Sequence, residues 1–394
     1  MAFLSQTLAT TILYLISSLT PVSAQSDNAS GCSCYRTNGS SLGYFTSHRF
    51  LDYRNVSPAP LTIPSVISNP TSATNALASS DFFVGDAWTN FWTVQKFNNS
   101  DTRHSTDATA LMVNSPSNVY IEKSQDSDPS YSTYLTLRTA RLDDFQSAAE
   151  IDSIEKNFHF LSARFSARVV GSPGACAGMF TYLAGDTPQD VQEADIEILT
   201  EGPRNAVQYT NQPSVDTKGA VVPQATVNGT NPGGKDWTHW NVYRVDWMPG
   251  TTTWYVNGAK VANIDFQTPK DPAGLMVNMW SDGGSWTGNM SLHDQAYLQI
   301  QWIELAYNTS GPYTGSGARK RNEGYGSEGA LVKRKGTPGC KAVCSVDEEI
   351  NTTGTPALLW NNTSLAPLAW KGQGMGCLAW IPFLLVGAAV FGYF

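Results

Sequence analysis

Apolar and polar residues alternate in short runs along most of this chain. Tyr134-Leu-Thr-Leu-Arg138, Phe160-Leu-Ser-Ala-Arg-Phe-Ser-Ala-Arg168, Asn241-Val-Tyr-Arg-Val-Asp-Trp247, Thr253-Trp-Tyr-Val256 and Leu298-Gln-Ile-Gln-Trp-Ile-Glu304 each tend to change character at every residue. That is the period of a strand whose two faces meet different surroundings. From about Tyr44 to Asn308, Gly, Pro, Asn and Asp interrupt the pattern every ten residues or so, and no run keeps helical spacing. The pattern predicts an all-β domain over residues 44–308, and about 265 residues suit one large β-sandwich.

Outside that stretch the pattern changes. An apolar run through Leu19 followed by small residues at Ser23 and Ala24 predicts a secretory signal peptide over residues 1–24. Residues 25–43 form an N-terminal cysteine-containing segment. Residues 309–372 turn to Gly, Ser, Thr, Lys and Arg, with basic triplets at Arg319-Lys-Arg321 and Lys333-Arg-Lys335, and read as a disordered linker or stalk. Residues 373–394 read as a hydrophobic anchor signal, for no charge occurs from Cys377 to Phe394. The tail predicts exchange for a glycolipid at Asn362, Thr363 or Ser364 and a place at the cell surface; the alternative is a retained single-pass helix. Ten Asn-x-Ser/Thr tripeptides, at Asn28, Asn38, Asn55, Asn98, Asn228, Asn289, Asn308, Asn351, Asn361 and Asn362, agree with an exterior, glycosylated protein.

Six cysteines change the picture only slightly. Cys32 and Cys34 are two apart, Cys340 and Cys344 four apart, and Cys176 and Cys377 stand alone. No metal cluster fits these spacings, and in an oxidising compartment they predict disulfides of open pairing. The five histidines have no ligand-like spacing either, so no cofactor or catalytic metal is expected, with a structural calcium left open. A formal charge of −8 without a basic, aromatic-rich stripe argues against nucleic acid and suits a neutral polymer such as a polysaccharide.

The chemistry lies in Val191-Gln-Glu-Ala-Asp-Ile-Glu-Ile-Leu199. On a strand, Glu193, Asp195 and Glu197 share one face while Ala194, Ile196 and Ile198 take the other. Like charges side by side on poor strand formers are unfavourable, so stability does not account for the row. Chemistry that uses the repulsion does: one carboxylate attacks an anomeric carbon while another, kept protonated by its neighbours, serves the leaving oxygen. The two Cα atoms of Glu193 and Glu197 lie roughly 13 Å apart by strand rise, and the long side chains must lean together to reach the separation of about 5–5.5 Å used for retention, an inverting pair standing wider at roughly 6.5–9.5 Å. The bland alternatives are an acidic exposed strand or a calcium site.

Glu193-Ala-Asp-Ile-Glu197 resembles the Glu-x-Asp-x-Glu signature of family 16 glycoside hydrolases. Trp240–Pro249 with Trp254-Tyr-Val-Asn-Gly258, Leu275–Gly284 and Ile300–Tyr307 resemble further strands of that family. The resemblance implies a concanavalin A-like β-jelly-roll, and by position Glu193 as nucleophile, Asp195 as assisting carboxylate and Glu197 as general acid/base. Trp280 and Trp286 are candidates for stacking on sugar rings, and Gln208, Tyr209 and Asn211 for polar contacts from the next strand; Trp240, Trp247 and Trp302 are assigned to packing. The regular spacing of the motif resembles the transglycosylating branch and some hydrolases, whereas Gln192 departs from the Asp-Glu start of the family's crosslinking members. The expected activity is retaining cleavage inside β-1,3 or β-1,3/1,4 glucan of a cell wall. The alternatives are transfer joining glucan or chitin chains, and a non-catalytic glucan-binding lectin. Oligomeric state is not legible.

Overall fold

The computed structural model describes residues 25–27, 31–40, 43–57, 62–100, 107–127, 130–310, 339–347 and 353–361. The expected signal peptide, the basic triplets and the expected anchor signal lie outside the described residues.

Two antiparallel sheets pack face to face. The first runs in space through the strands Ala259–Ile264, Thr251–Val256, Asn241–Met248, Phe158–Gly171 and Gln295–Thr309. The far edge of Gln295–Thr309 is shared: Thr133–Arg141 pairs with its first half and Ser47–Asp52 with its second. The second sheet runs through Thr226–Thr230, Ala206–Gln212, Gln192–Leu199, Cys176–Leu183, Gly274–Trp280, Phe145–Ser153 and Trp92–Val94. Phe145–Ser153 joins both sheets, since its first residues also pair in parallel with Leu111–Asn114. The five runs of alternating residues all fall inside observed strands.

Strand alternation assigns every residue of the second sheet to a side. Ala177, Met179, Ala194, Ile196, Ile198, Val207, Tyr209, Leu275, Val277 and Met279 point inward and join one large core with Phe165, Tyr243, Trp247 and Trp254 of the first sheet. Each large side chain removed from water in this way contributes roughly 1.5–3 kcal/mol. A slip of one residue in the Gln192–Leu199 strand would exchange isoleucines for carboxylates in that core, so burial locks the register that presents Glu193, Asp195 and Glu197 outward. The packing assignments also find their places: Trp247 and Trp302 are buried, and Trp240 is held edge-on by Tyr131 and Tyr134 with the Arg168 guanidinium 4.4 Å from its ring centre.

One boundary is corrected. Residues 339–347 and 353–361, expected within the disordered stalk, form the strands Ala342–Ser345 and Ala357–Asn361. With Cys34–Arg36 and Tyr44–Phe45 they make a four-stranded sheet. Two disulfides, Cys32–Cys344 and Cys34–Cys340, staple this clasp across the whole domain. Asp347 accepts from Arg164 Nη2 at 2.9 Å and lies 3.4 Å from Arg244 Nη1, while Tyr35, Phe45, Cys344 and Val346 make a small second core. Gly354, at φ +81°, sits against the Phe50 ring where a side chain would collide. The Gly, Ser, Thr and Lys around these few apolar residues hid them from a compositional reading. Cys176 is a free, buried cysteine.

Candidate active site

The outer face of the second sheet is a grid of polar and aromatic side chains read off the register. One row crosses the strands as Glu150, Asn278, Gly178, Glu197, Gln208 and Asn228; the next crosses as Asp152, Met276, Phe180, Asp195, Thr210 and Thr226. Glu193 faces Tyr182 on one side and Gln212 on the other. The strand that carries the three carboxyls keeps unbroken register with both neighbours, as its regular spacing predicts.

Asp195 is 1% exposed, and Glu193 and Glu197 are half-buried beside it. Burial, followed by repulsion from Glu197, pushes the Glu193 carboxyl above its ordinary range; burial also raises Glu197, and burial with repulsion from both glutamates raises Asp195 further. The hydrogen bonds are asymmetric. The hydrogen bond between Asp195 and Glu193 raises Asp195 and lowers Glu193. Gln212 Nε2 lies 3.3 Å from Asp195 Oδ2, and Thr210 Oγ1 lies 3.3 Å from Glu197 Oε2. All three carboxyls are thus pushed toward the protonated form, Glu193 to about 8 and Glu197 to about 7. Gln192, in place of an acid, accepts from the backbone N–H groups of Lys270 and Asp271 at 2.6 and 3.0 Å, pinning that loop beside Glu193.

Trp280 and Trp286 stack 5.9 Å apart at 30°, and Trp286 is 39% exposed. Trp286 Nε1 donates to Gln208 Oε1 at 3.1 Å, and Gln208 Nε2 to Asn228 Oδ1 at 3.1 Å. The turn below them is held firmly: Asp282 Oδ1 accepts from Gly284 N and Thr287 Oγ1, and Gly283 takes the left-handed conformation at φ +70°. An aromatic wall and a polar edge thus border the carboxyls, as the chemistry of a sugar requires: C–H faces on rings, hydroxyls on amides.

Two of the expected binding residues are misplaced. Tyr209 and Asn211 pair with Ile196 and Ala194, the inward residues, so both side chains point into the sandwich. Tyr209 packs on Trp254, and Asn211 Nδ2 donates to the carbonyls of Ile264 and Phe266. Thr210 and Gln212 take the outward positions instead. Sequence reasoning also missed Glu150 and Asp152, whose alternation with Ala149 and Ile151 repeats the logic of the carboxylate strand. Asn278 Nδ2 reaches Glu150 Oε2 at 3.4 Å, and its Oδ1 lies over Gly178, where a side chain would strike it at 2.5 Å. Burial lifts Glu150 up to about 8, with repulsion from Asp152 adding to the effect. Among the described residues no group of three or more His, Cys, Asp and Glu side chains is disposed to hold a metal.

Parts of the sequence resemble known proteins. The β-glucanase of Paenibacillus polymyxa is 25% identical over 154 residues, 39% of this chain and 61% of that protein. The β-glucanase of Paenibacillus macerans is 29% identical over 70 residues, 17% of this chain and 30% of its own. The chain thus spans less than two thirds of the length of these relatives. Among solved structures, the catalytic domain of an endo-1,3-β-glucanase (laminarinase) from Thermotoga petrophila is 16% identical with a TM-score of 0.44, over 56% of this chain and 92% of that one. The sequence model described as glycosyl hydrolases family 16 matches residues 99–304, more than half of the chain and inclusive of all three carboxylates and both stacked tryptophans. By that match this chain belongs to glycosyl hydrolases family 16.

Proposed function

We propose that the chain cleaves internal bonds of a β-linked glucan, of β-1,3 or mixed β-1,3/1,4 linkage, with retention at the anomeric carbon. The observation that carries this reading is the row Glu193, Asp195, Glu197, three carboxyls on one face of one strand in unbroken register, bordered by the stacked Trp280 and Trp286. In the first step the Glu193 carboxylate bonds to the anomeric carbon as the glycosidic bond breaks, and the Glu197 proton passes to the leaving oxygen. In the second, Glu197 takes a proton from the incoming hydroxyl, whose oxygen displaces Glu193 from the same carbon. Two displacements restore the β configuration. The β-glucanase names of the two Paenibacillus relatives support the substrate class.

The incoming hydroxyl decides between hydrolysis and transfer to another wall chain. The unbroken strand register is the feature that favours keeping transfer in view, because the regular motif resembles the transferring branch as well as some hydrolases. Incubating the protein with linkage-defined β-glucan and chitin oligosaccharides and following products by proton NMR and mass tests both points. Newly formed β-anomer is expected first, with longer or hybrid products if sugars compete with water. Initial α-anomer would reject the double displacement, and unaltered oligosaccharides that still bind would favour a lectin.

The cellular setting is part of the same proposal: export by residues 1–24 and attachment at the cell surface through residues 373–394, with wall glucan at hand. Two disulfides support an oxidising compartment. Release of the chain from intact cells by a phosphatidylinositol-specific phospholipase is expected; retention after that treatment would assign a membrane-spanning helix instead.

A further inference from the structure

Gln212 lies directly opposite Glu193 in the sheet, yet its side chain serves Asp195. The orientation of its amide is fixed by chemistry. Ser214 N–H can only donate, and it does so at 2.8 Å to the Gln212 side-chain oxygen, which leaves the NH2 group facing Asp195 Oδ2. An oxygen that receives an N–H cannot also point a proton at it. The amide therefore disfavours a proton on Oδ2 pointing toward Gln212, while Oδ1 is buried with no hydrogen-bond partner among the described residues. The carboxyl that Asp195 engages by hydrogen bond is that of Glu193.

We infer that Gln212 is a positioning residue: it selects the oxygen of Asp195 that carries the proton, and through Asp195 it selects Glu193 as the charged member of the row. The inference rests on the proposed role of Glu193 as nucleophile. Without the amide, Asp195 could turn its proton toward either oxygen, and the hydrogen bond that holds charge on Glu193 would be made only part of the time. Around Asp195 the titratable neighbours are Glu193 and Glu197 on its own strand, Tyr182 and Cys176 on the next, and Glu150 beyond. Lys156, the cation that acts on Glu150, is engaged by Asp152 at 3.0 Å.

The test uses the whole chain, with kcat and KM measured against pH for wild type, Glu193→Gln, Gln212→Met and Gln212→Glu. Methionine keeps the length and bulk but has no N–H. Gln212→Met is expected to lower kcat roughly ten- to hundredfold, the worth of one charge-assisted hydrogen bond, with KM within twofold. Its acid limb moves to higher pH, because a Glu193 that loses its donor holds its proton more tightly. Gln212→Glu should approach wild-type kcat at acidic pH, where the introduced carboxyl can donate to Asp195, and fall below Gln212→Met as that carboxyl ionises. Wild-type kcat and an unmoved acid limb in both variants would overturn the inference, as would a loss confined to KM. If instead Glu193→Gln keeps the wild-type rate, the reading of the carboxylate row itself fails; with an active wild type and an inactive Glu193→Gln, the two Gln212 variants bear on Gln212 alone.

Discussion

Glu193→Gln is expected to lower turnover of an internal β-glucan bond by roughly four orders of magnitude or more, since loss of a nucleophile leaves only the rate supplied by binding and charge. Oligosaccharide affinity should hold within a few fold, because the amide is isosteric and relieves repulsion in a row whose three carboxyls are all pushed upward by burial. Glu197→Ala should behave differently. On glucan it should cost roughly 10²–10⁴-fold, the usual range for a general acid. On a glycoside with a dinitrophenolate leaving group, which departs without a proton, the first displacement should survive and the second should stall. Azide, an incoming group that needs no base, should then restore turnover and give a β-glycosyl azide. Because burial raises Glu197, the wild-type enzyme should stay active into neutral pH and lose activity on the alkaline side as that proton leaves; the alkaline limb should be missing in Glu197→Ala with the activated substrate. Equal losses in both variants on both substrates, or Glu193→Gln within tenfold of wild type, would sink the division of roles.

How much of this site was legible depended on whether parity along a strand was carried to its neighbours. Within Glu193-Ala-Asp-Ile-Glu197 the alternation is complete in five residues, so the shared face of the carboxyls followed from the sequence. The next strand shows the limit. Val207-Gln-Tyr-Thr-Asn-Gln212 offers two parities, and polar residues occur on both, so polarity alone placed Asn211 in the site and left Thr210 out. Asn211 is polar for a different reason: it caps the carbonyls of Ile264 and Phe266 inside the sandwich, a need created by tertiary packing. Tyr209 likewise reads as a polar contact residue until its pairing with Ile196 turns it toward Trp254. Glu150 and Asp152 have a clear alternating signal, but they are far from the motif in sequence and come beside it only because Gly274–Trp280 and Cys176–Leu183 lie between. The sandwich itself was legible because each strand carries its own two-faced pattern. The clasp was not, because four short strands draw most of their stability from covalent and ionic partners elsewhere in the chain.

That dependence sets the largest stability effect expected outside the core. Replacing Cys32, Cys34, Cys340 and Cys344 together with Ser should destabilise the domain by roughly 3–5 kcal/mol, within the range for loss of native disulfides. The bridges close spans of 312 and 306 residues, so the first removes most of the loop entropy and the second, closing nearly the same loop, adds little. Beneath the clasp, the buried guanidiniums of Arg164 and Arg244 share Asp347, with Asp246 bidentate on Arg244 and Glu304 3.8 Å from Arg164. Asp347→Ala removes the close carboxylate of Arg164, leaving it Glu304 at 3.8 Å, and should cost about 3 kcal/mol. In the four-serine background the same change should cost much less, because a clasp that is already detached no longer brings Asp347 to the arginines. The cycle therefore measures closure directly. Thermal melting should show Tm falling by about 6–12 °C for Asp347→Ala and by about 6–20 °C for the four-serine variant, with early proteolysis within residues 339–361. Glucan turnover measured well below Tm should be unchanged, since the clasp lies on the sheet that does not carry Glu193. Additive losses would mean that Asp347 reaches the arginines without the disulfides, and a Tm unmoved by the four serines would mean that the clasp does not hold the domain at all.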